Sequence, residues 1–227
     1  MREWKQTLNL PRTEFPMRGN LPKKEKEILQ FWERISPYSR LMKIRRSARA
    51  EGKVFLLQDG PPYSNGDNHV GHVLNKVLKD IVVKWKLMSG YYSPCVPGWD
   101  THGLPTEQEV AKEYGLNRKE HSIAEWRKKC KDFAGYYIHR QKEQFKRLGC
   151  FGDWEKPYVT YHPEYEAKEV QILATLGDKN LLYRRRKPIF WCPHCETALA
   201  EAEIEYEEVP TYSIYVGMFL EKPLRLP

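Results

Sequence analysis

The chain has 227 residues, of which 41% are hydrophobic and 30% charged. That length allows one large domain or one domain plus part of another, the composition is that of a soluble globular protein, and there is no low-complexity segment and no apolar run long enough to span a bilayer. Five cysteines, an odd number, argue against a disulfide framework and for a reducing, cytoplasmic compartment.

Met1 to Arg12 has neither an apolar core nor a small-residue cleavage site, so no secretory leader is expected. The net charge is +8, and the basic residues gather at Lys43–Arg49, Arg127–Lys131 and Arg184–Lys187. Such clusters suit a phosphate-rich partner. Solvated helix faces interleaved with Glu and Asp explain them as well.

Residues 1–21 hold Pro11, Pro16 and Gly19 with little periodicity and read as an extended arm. Pro22 suits a first helical turn, and Ile28, Leu29, Phe31 and Trp32 recur at helical spacing. An arm and helix are therefore expected over 1–50. Val54-Phe-Leu-Leu57 is a short β-prone apolar run, read as a buried strand that Gly60-Pro61-Pro62 stops. A helix is expected from Asn68 or His69. Along it Val70, Val73, Leu74, Val77, Leu78, Ile81, Val82 and Trp85 recur three to four apart, and Gly90 closes it.

Tyr91 to Val96 reads as extended and leads into Pro97-Gly-Trp-Asp100. Ser122 with Glu125 forms a capping box that opens a long helix running to Gly149. A further helix is expected over Pro163 to Lys179, then strands over Leu181 to Trp191 and Tyr212 to Phe219. This rhythm predicts an α/β domain with parallel strands and flanking helices. Ligands in such sheets sit beyond the carboxyl ends of the strands. Gly60–His72 lies there after the first strand, and Asp100–Pro105 after the second.

The run Gly60-Pro-Pro-Tyr-Ser-Asn-Gly-Asp-Asn-His-Val-Gly-His72 carries the chemistry. A strand end, a Gly- and Pro-rich turn and a helix start place backbone donors at one spot, which favours a phosphate. His69 and His72 share one helix face. Gly71 between them lets a flat ring approach the backbone. These features read as a nucleotide triphosphate site with two imidazoles beside the phosphates. A metal-binding pair, or two histidines at a helix cap, are the simpler readings. Asp100, at a strand end, offers a carboxylate to an ammonium group; the alternative is an Asp capping a turn.

Cys192-Pro-His-Cys195 can hold one side of a tetrahedral zinc. A redox dithiol and an unliganded pair are the rival readings. Cys95, Cys130 and Cys150 read as ordinary core or surface residues.

His69-Val-Gly-His72 resembles the "HIGH" signature of class I aminoacyl-tRNA synthetases, with Val for Ile. The surrounding Pro61-Pro-Tyr-Ser-Asn-Gly66 and Gly98-Trp-Asp-Thr-His-Gly-Leu-Pro105 resemble the bacterial isoleucyl branch of that family. So do the arm from Thr7 to Gly19, Gly152-Asp-Trp154, Pro157-Tyr158 and Lys187-Pro-Ile-Phe-Trp-Cys192. The likeness runs from about Thr7 to about Val216, and Thr106 departs from the usual Ile or Val.

The resemblance implies an ATP-dependent ligase that activates isoleucine and transfers it to tRNA(Ile), using ATP and Mg2+, acting as a monomer away from membranes. His69 and His72 would stabilise charge on the phosphates, with Gly60, His69, Gly71 and His72 lining ATP. Gly71 would pack under the adenine. Pro61 and Asp100 would bind the amino acid, Asp100 through its α-ammonium. His102 and Gly103 would be structural parts of the Asp100 loop. Cys192 and Cys195 would form half of a Zn2+ site completed by a second Cys pair. The implied layout is an arm and helix over 1–50 and the first half of a Rossmann-like catalytic domain over 51–190. A knuckle and connector over 191–208 and the start of an editing insertion over 209–227 follow. No Lys-Met-Ser-Lys-Ser run occurs, so this chain alone is not expected to activate amino acid at a useful rate. Other readings are a valyl or other aliphatic synthetase, and a catalytically dead tRNA-binding module.

Overall fold

The computed structural model describes Thr7, Leu8 and residues 18–219. Most of the expected arm, residues 9–17, and the end of the expected editing entry, residues 220–227, lie outside the described residues. The chain divides into two compact units, Met1–Thr175 and Leu176–Pro227.

In the first unit Pro22 opens α1 (Leu21–Ile35), as its fixed φ and missing N–H favour. Ser36, at φ 45°, ends it by donating its N–H to the Trp32 carbonyl at 2.8 Å. Pro37 then opens α2 (Pro37–Ile44), and α3 (Arg46–Ala50) follows. Trp32 meets Phe151 edge-on at 5.5 Å, which fastens α1 to the unit.

α4 (Val70–Met88) begins where the two histidines stand. The apolar positions that the periodicity would turn inward lie in part on the wrong side: Val70, Leu74, Leu78, Ile81, Trp85 and Met88 are exposed. The buried residues of α4 are Lys76, Val83 and Leu87. Nothing among the described residues covers the outer stripe.

The sheet is small. β1 (Gly98–Trp99) pairs in parallel with β2 (Tyr158–Val159), in register Gly98 to Tyr158 and Trp99 to Val159. The strand expected at Val54–Leu57 and the extended piece at Tyr91–Val96 reduce to a parallel bridge between Val54 and Tyr92. The Phe55 N–H donates to the Tyr92 carbonyl at 3.0 Å, and the Tyr92 N–H to the Lys53 carbonyl at 2.9 Å. A parallel strand is normally covered on both faces, but here Val54 and Leu56 stay exposed. The ladder stops for want of neighbours among the described residues.

α5 (Leu104–Tyr114), which the sequence reading left unassigned, carries Pro105 in its first turn and ends at Gly115, at φ 61°. α6 (Ile123–Arg147) has the expected capping box: Ser122 Oγ accepts from the Glu125 N–H at 3.3 Å, and Glu125 accepts from the Ser122 N–H at 3.0 Å. Val110 of α5 packs on Trp126 and Phe133 of α6. A second core lies around Trp99 and Phe145, both fully buried, with the Trp154 ring stacked on Phe145 at 6.2 Å. α7 (Pro163–Asp178) follows the prediction closely, and the division between units falls inside it.

In the second unit the strand expected over Leu181–Trp191 survives only at its end. β3 (Trp191–Cys192) pairs antiparallel with β4 (Thr197–Ala198). Residues 212–219 form no strand, and Tyr212, Tyr215 and Phe219 stand in solvent. Alternation makes a strand only where a partner takes up its N–H and C=O groups, and none does so among the described residues.

Candidate active site

The loop from Gly60 to Asn68 is fastened at its root, middle and end. At its root the buried Asp59 carboxylate is held by Lys76 and, at 2.9 Å, by Lys79, both from α4. The Tyr158 hydroxyl donates to the Asp59 carbonyl at 2.7 Å. In its middle the loop runs beside Asp100. The Asp100 N–H donates to the Pro62 carbonyl at 2.9 Å, and the Ser64 N–H to the Asp100 carbonyl at 3.1 Å. Pro61 is half-buried in this stretch and Gly60 exposed. At its end Asn68 donates through its N–H to Gln144 at 3.0 Å.

His69 is the N-cap of α4. Its Nδ1 accepts from the backbone N–H groups of Gly71 at 3.1 Å and His72 at 3.4 Å. In the neutral ring Nδ1 is then the acceptor, so Nε2 carries the proton and serves as a donor. The His72 ring stacks on His69. Burial, then the neighbouring His69 and Lys76, hold His72 below its ordinary pKa. His72 Nδ1 and Asn68 Oδ1 are buried with no hydrogen-bond partner. Buried polar atoms left unpaired cost about 1–3 kcal/mol each, which a ligand at this point would relieve. A Cβ on Gly71 would lie 2.9 Å from His69 Cε1, so only glycine leaves the capping ring its place.

The Asp100 carboxylate is half-buried and accepts from the His102 N–H at 3.4 Å. No Lys, Arg or His among the described residues pairs with it. The structure thus brings His69, Gly71 and His72 to one helix start, and sets the stretch that follows Pro61 against Asp100 through Pro62 and Ser64. Gly103, at φ 97°, turns the chain from Asp100 into α5.

Cys192 and Cys195 belong to the second unit, where they stand in the β3–β4 hairpin. The Cys195 N–H donates to Cys192 Sγ at 3.4 Å. That hydrogen bond, with others from Cys195 and from the His194 N–H, lowers the Cys192 thiol pKa. No cluster of three or more metal-binding side chains exists among the described residues. Burial instead pushes Cys95, Cys130 and Cys150 up to about 11, as befits inert thiols.

The sequence reading missed Asp59, Lys76 and Gln141. Lys76 and Lys79 interrupt the apolar run of α4, and a lysine inside such a run was the available signal. Nothing local marks Gln141, because its partners lie 42 to 78 residues away.

A sequence profile of the tRNA synthetases class I (I, L, M and V) matches residues 27–221. The chain belongs to this family. Two relatives among the class I tRNA synthetases, both isoleucine–tRNA ligases, give the scale. That of Carboxydothermus hydrogenoformans is 57% identical over 215 residues, 94% of this chain and 23% of that protein. That of Caldicellulosiruptor saccharolyticus is 56% identical over 214 residues, again 94% of this chain and 23% of that protein. The chain spans about a quarter of the length of the curated relatives it matches. A solved synthetase, the ternary complex of Agrobacterium radiobacter K84 agnB2 LeuRS-tRNA-LeuAMS, superposes with a TM-score of 0.61 at 24% identity. The match covers 81% of this chain and 21% of that one, and establishes likeness of fold. No helix among the described residues is long and apolar enough to cross a membrane.

Proposed function

We propose that this chain is the ATP- and isoleucine-binding part of an isoleucine–tRNA ligase. One observation carries the reading: the backbone of the loop leading to His69 is hydrogen-bonded to Asp100 on both sides. A nucleotide at the α4 start and an ammonium group at Asp100 would therefore be neighbours.

In the reaction, one oxygen of the isoleucine carboxylate attacks the α-phosphorus of ATP. The bond to the bridging oxygen of pyrophosphate breaks, pyrophosphate leaves, and isoleucyl-adenylate remains. No proton has to move, so the chain's task is to orient both substrates and to stabilise charge on the phosphates. Gly60, His69, Gly71 and His72 line the ATP side. The Nε2–H of His69 and an N–H of the neutral His72 are donors for phosphate oxygens. Gly71, by carrying no side chain, keeps the His69 ring on its cap beside the nucleotide. Pro61 lines the amino-acid side, and Asp100 pairs with the α-ammonium. Mg2+ enters with the nucleotide, and no residue of this chain is assigned to it. Transfer to tRNA(Ile) would complete the cycle.

Residues 1–50 would be an arm and helix, 51–190 the first half of a Rossmann-like catalytic domain, 191–208 a knuckle and connector, and 209–227 the entry to an editing insertion. Cys192 and Cys195 suit one edge of a structural zinc, since backbone N–H donation to a thiolate favours the deprotonated ligand. The remaining two ligands would come from elsewhere in the polypeptide.

The test is a chimera in which this chain replaces the matching segment of the Carboxydothermus hydrogenoformans relative. ATP–pyrophosphate exchange is measured with isoleucine, valine and leucine. Exchange with the highest kcat/KM for isoleucine is expected. Preference for valine would move the chain to another aliphatic synthetase, and no exchange with any amino acid would leave a binding module.

A further inference from the structure

The side-chain amide of Gln141 on α6 is fully buried and touches both halves of the proposed site. Its Oε1 accepts the Trp99 Nε1–H at 2.9 Å. Its Nε2 donates to the Tyr63 carbonyl at 3.0 Å and to the Gly66 carbonyl at 2.7 Å. A primary amide has two N–H donors, and both are spent on one loop. The acceptor is spent on the residue before Asp100.

Neighbours on the same helix face extend the clamp. Arg140 holds the Asp67 carboxylate through Nε and Nη2, the latter reaching Oδ2 at 2.7 Å. Gln144 accepts the Asn68 N–H and donates to Asp67 at 2.8 Å. The Gln141 carbonyl accepts from the Asn68 side chain at 3.3 Å. Positions 140, 141 and 144 thus grip residues 63 to 68, and the next residue is the capping His69.

A glutamine has no intrinsic reason to be buried in a helix that could place a leucine there. Its burial is tolerable because every polar atom is paired, and pairing of this kind fixes geometry.

We infer that Gln141 is a positioning residue that sets the nucleotide loop and the Trp99–Asp100 strand in register, so that carboxylate and α-phosphorus meet in line. This rests on the ligase reading above. Gln141 touches neither substrate and acts through the Tyr63 and Gly66 carbonyls and Trp99.

Gln141→Glu is the discriminating change in the chimeric ligase. Glutamate keeps the shape and the acceptor for Trp99, but sets a carboxylate against two carbonyl oxygens. Burial beside those oxygens raises its pKa. As pH falls the carboxyl gains a proton and can donate to one carbonyl again. The expected results are a drop in exchange kcat of about 100-fold near neutral pH with Kd for ATP alone nearly unchanged, and partial recovery toward acid relative to the parent enzyme. A residue that only supports folding would give no acid recovery. Should Gln141→Glu not fold, Gln141→Met removes both donors without adding charge and is expected to give the same kcat loss with no acid recovery.

Hydrogen exchange at the Ser64 and Asp100 amides of the substrate-free protein is the second readout, and it does not depend on the substrate. Faster exchange in the variants supports the clamp even if the parent chimera fails to use isoleucine, an outcome that would condemn the ligase reading alone. Parent-like kcat in a folded variant, or unchanged exchange at those amides, overturns the inference.

Discussion

The imidazoles of His69 and His72 stack with centroids 3.7 Å apart and planes 23° from parallel. Two rings this close resist carrying two positive charges. His72 bears the consequence, through burial first, then His69, then Lys76. Its folded pKa lies below the ordinary 6.5, so the unfolded chain binds the extra proton more readily. Stability from this source is fully present above pH 6.5 and is lost as pH falls through the folded value. The melting temperature is expected to decline on going from about pH 7.5 to about pH 5.5, and His72→Gln to flatten part of that slope. An identical slope in the variant would remove His72 as its source.

Gly71→Ala sets a methyl group 2.9 Å from Cε1 and 3.0 Å from Nδ1 of His69. The ring must leave the two N–H groups it caps. Loss of an N-cap costs about 0.5–2 kcal/mol, and the His69 donor proposed for phosphate is displaced with it. In the chimeric ligase the variant is expected to melt lower and to lose exchange activity by more than its unfolded fraction explains. Calorimetry and exchange kinetics on one preparation check this. Activity that simply tracks the folded fraction would show the ring has room after all.

The helices and the place of the histidine pair were legible in the sequence because their signals are local. The capping box at Ser122, Pro22 at a helix start and the paired histidines each work within a turn of chain, and each stands where it was expected. The small sheet was legible in its parallel sense but not in its length, since Val54 and Tyr92 pair without neighbours to extend the ladder. α4 misled most. Its periodic apolar residues do share a face, but periodicity cannot say what covers that face. Gln141 was invisible for the opposite reason: its role exists only in contacts from far along the chain.

Gly98 lies under the Tyr158 ring, and an added Cβ would fall 2.0 Å from Tyr158 Cζ. The ring is not free to leave without loss, because its hydroxyl donates to the Asp59 carbonyl at 2.7 Å. Gly98→Ala must therefore break the β1–β2 pairing or release the root of the Gly60–Asn68 loop. Overpacking of this kind costs about 1–3 kcal/mol or more. Lower thermal stability is expected, with partial rescue by Tyr158→Ala, which vacates the space. Additive losses in the double variant would deny the contact.

Asp100 has no cationic partner among the described residues, so an ammonium group would meet a carboxylate that no other cation holds. Hydrogen bonds between charged groups contribute about 1.5–3 kcal/mol, or roughly 10- to 100-fold in binding. In the chimeric ligase Asp100→Asn is expected to raise the KM for isoleucine by that factor and leave the KM for ATP nearly unchanged. Equal effects on both substrates would make Asp100 a structural turn residue.

The outer stripe of α4 runs from Val70, 84% exposed, through Leu74, Leu78, Ile81 and Trp85, 56% exposed, to Met88. These positions keep the three- and four-residue spacing of a buried helix face for the full length of the helix. A continuous apolar surface of this size favours association in water. The 227-residue chain alone is expected to self-associate with rising concentration and to bind a hydrophobic dye, as seen by sedimentation and fluorescence. Leu78→Glu, which puts a charge in the middle of the stripe without touching Lys76, Val83 or Leu87, is expected to suppress both. In the chimera, where the rest of the polypeptide is present, the dye signal is expected to be low. The same substitution there is expected to lower stability, because a charge would then be buried. A monomeric chain with no dye binding would mean that water tolerates the stripe, and a chimera indifferent to Leu78→Glu would mean that nothing packs on it.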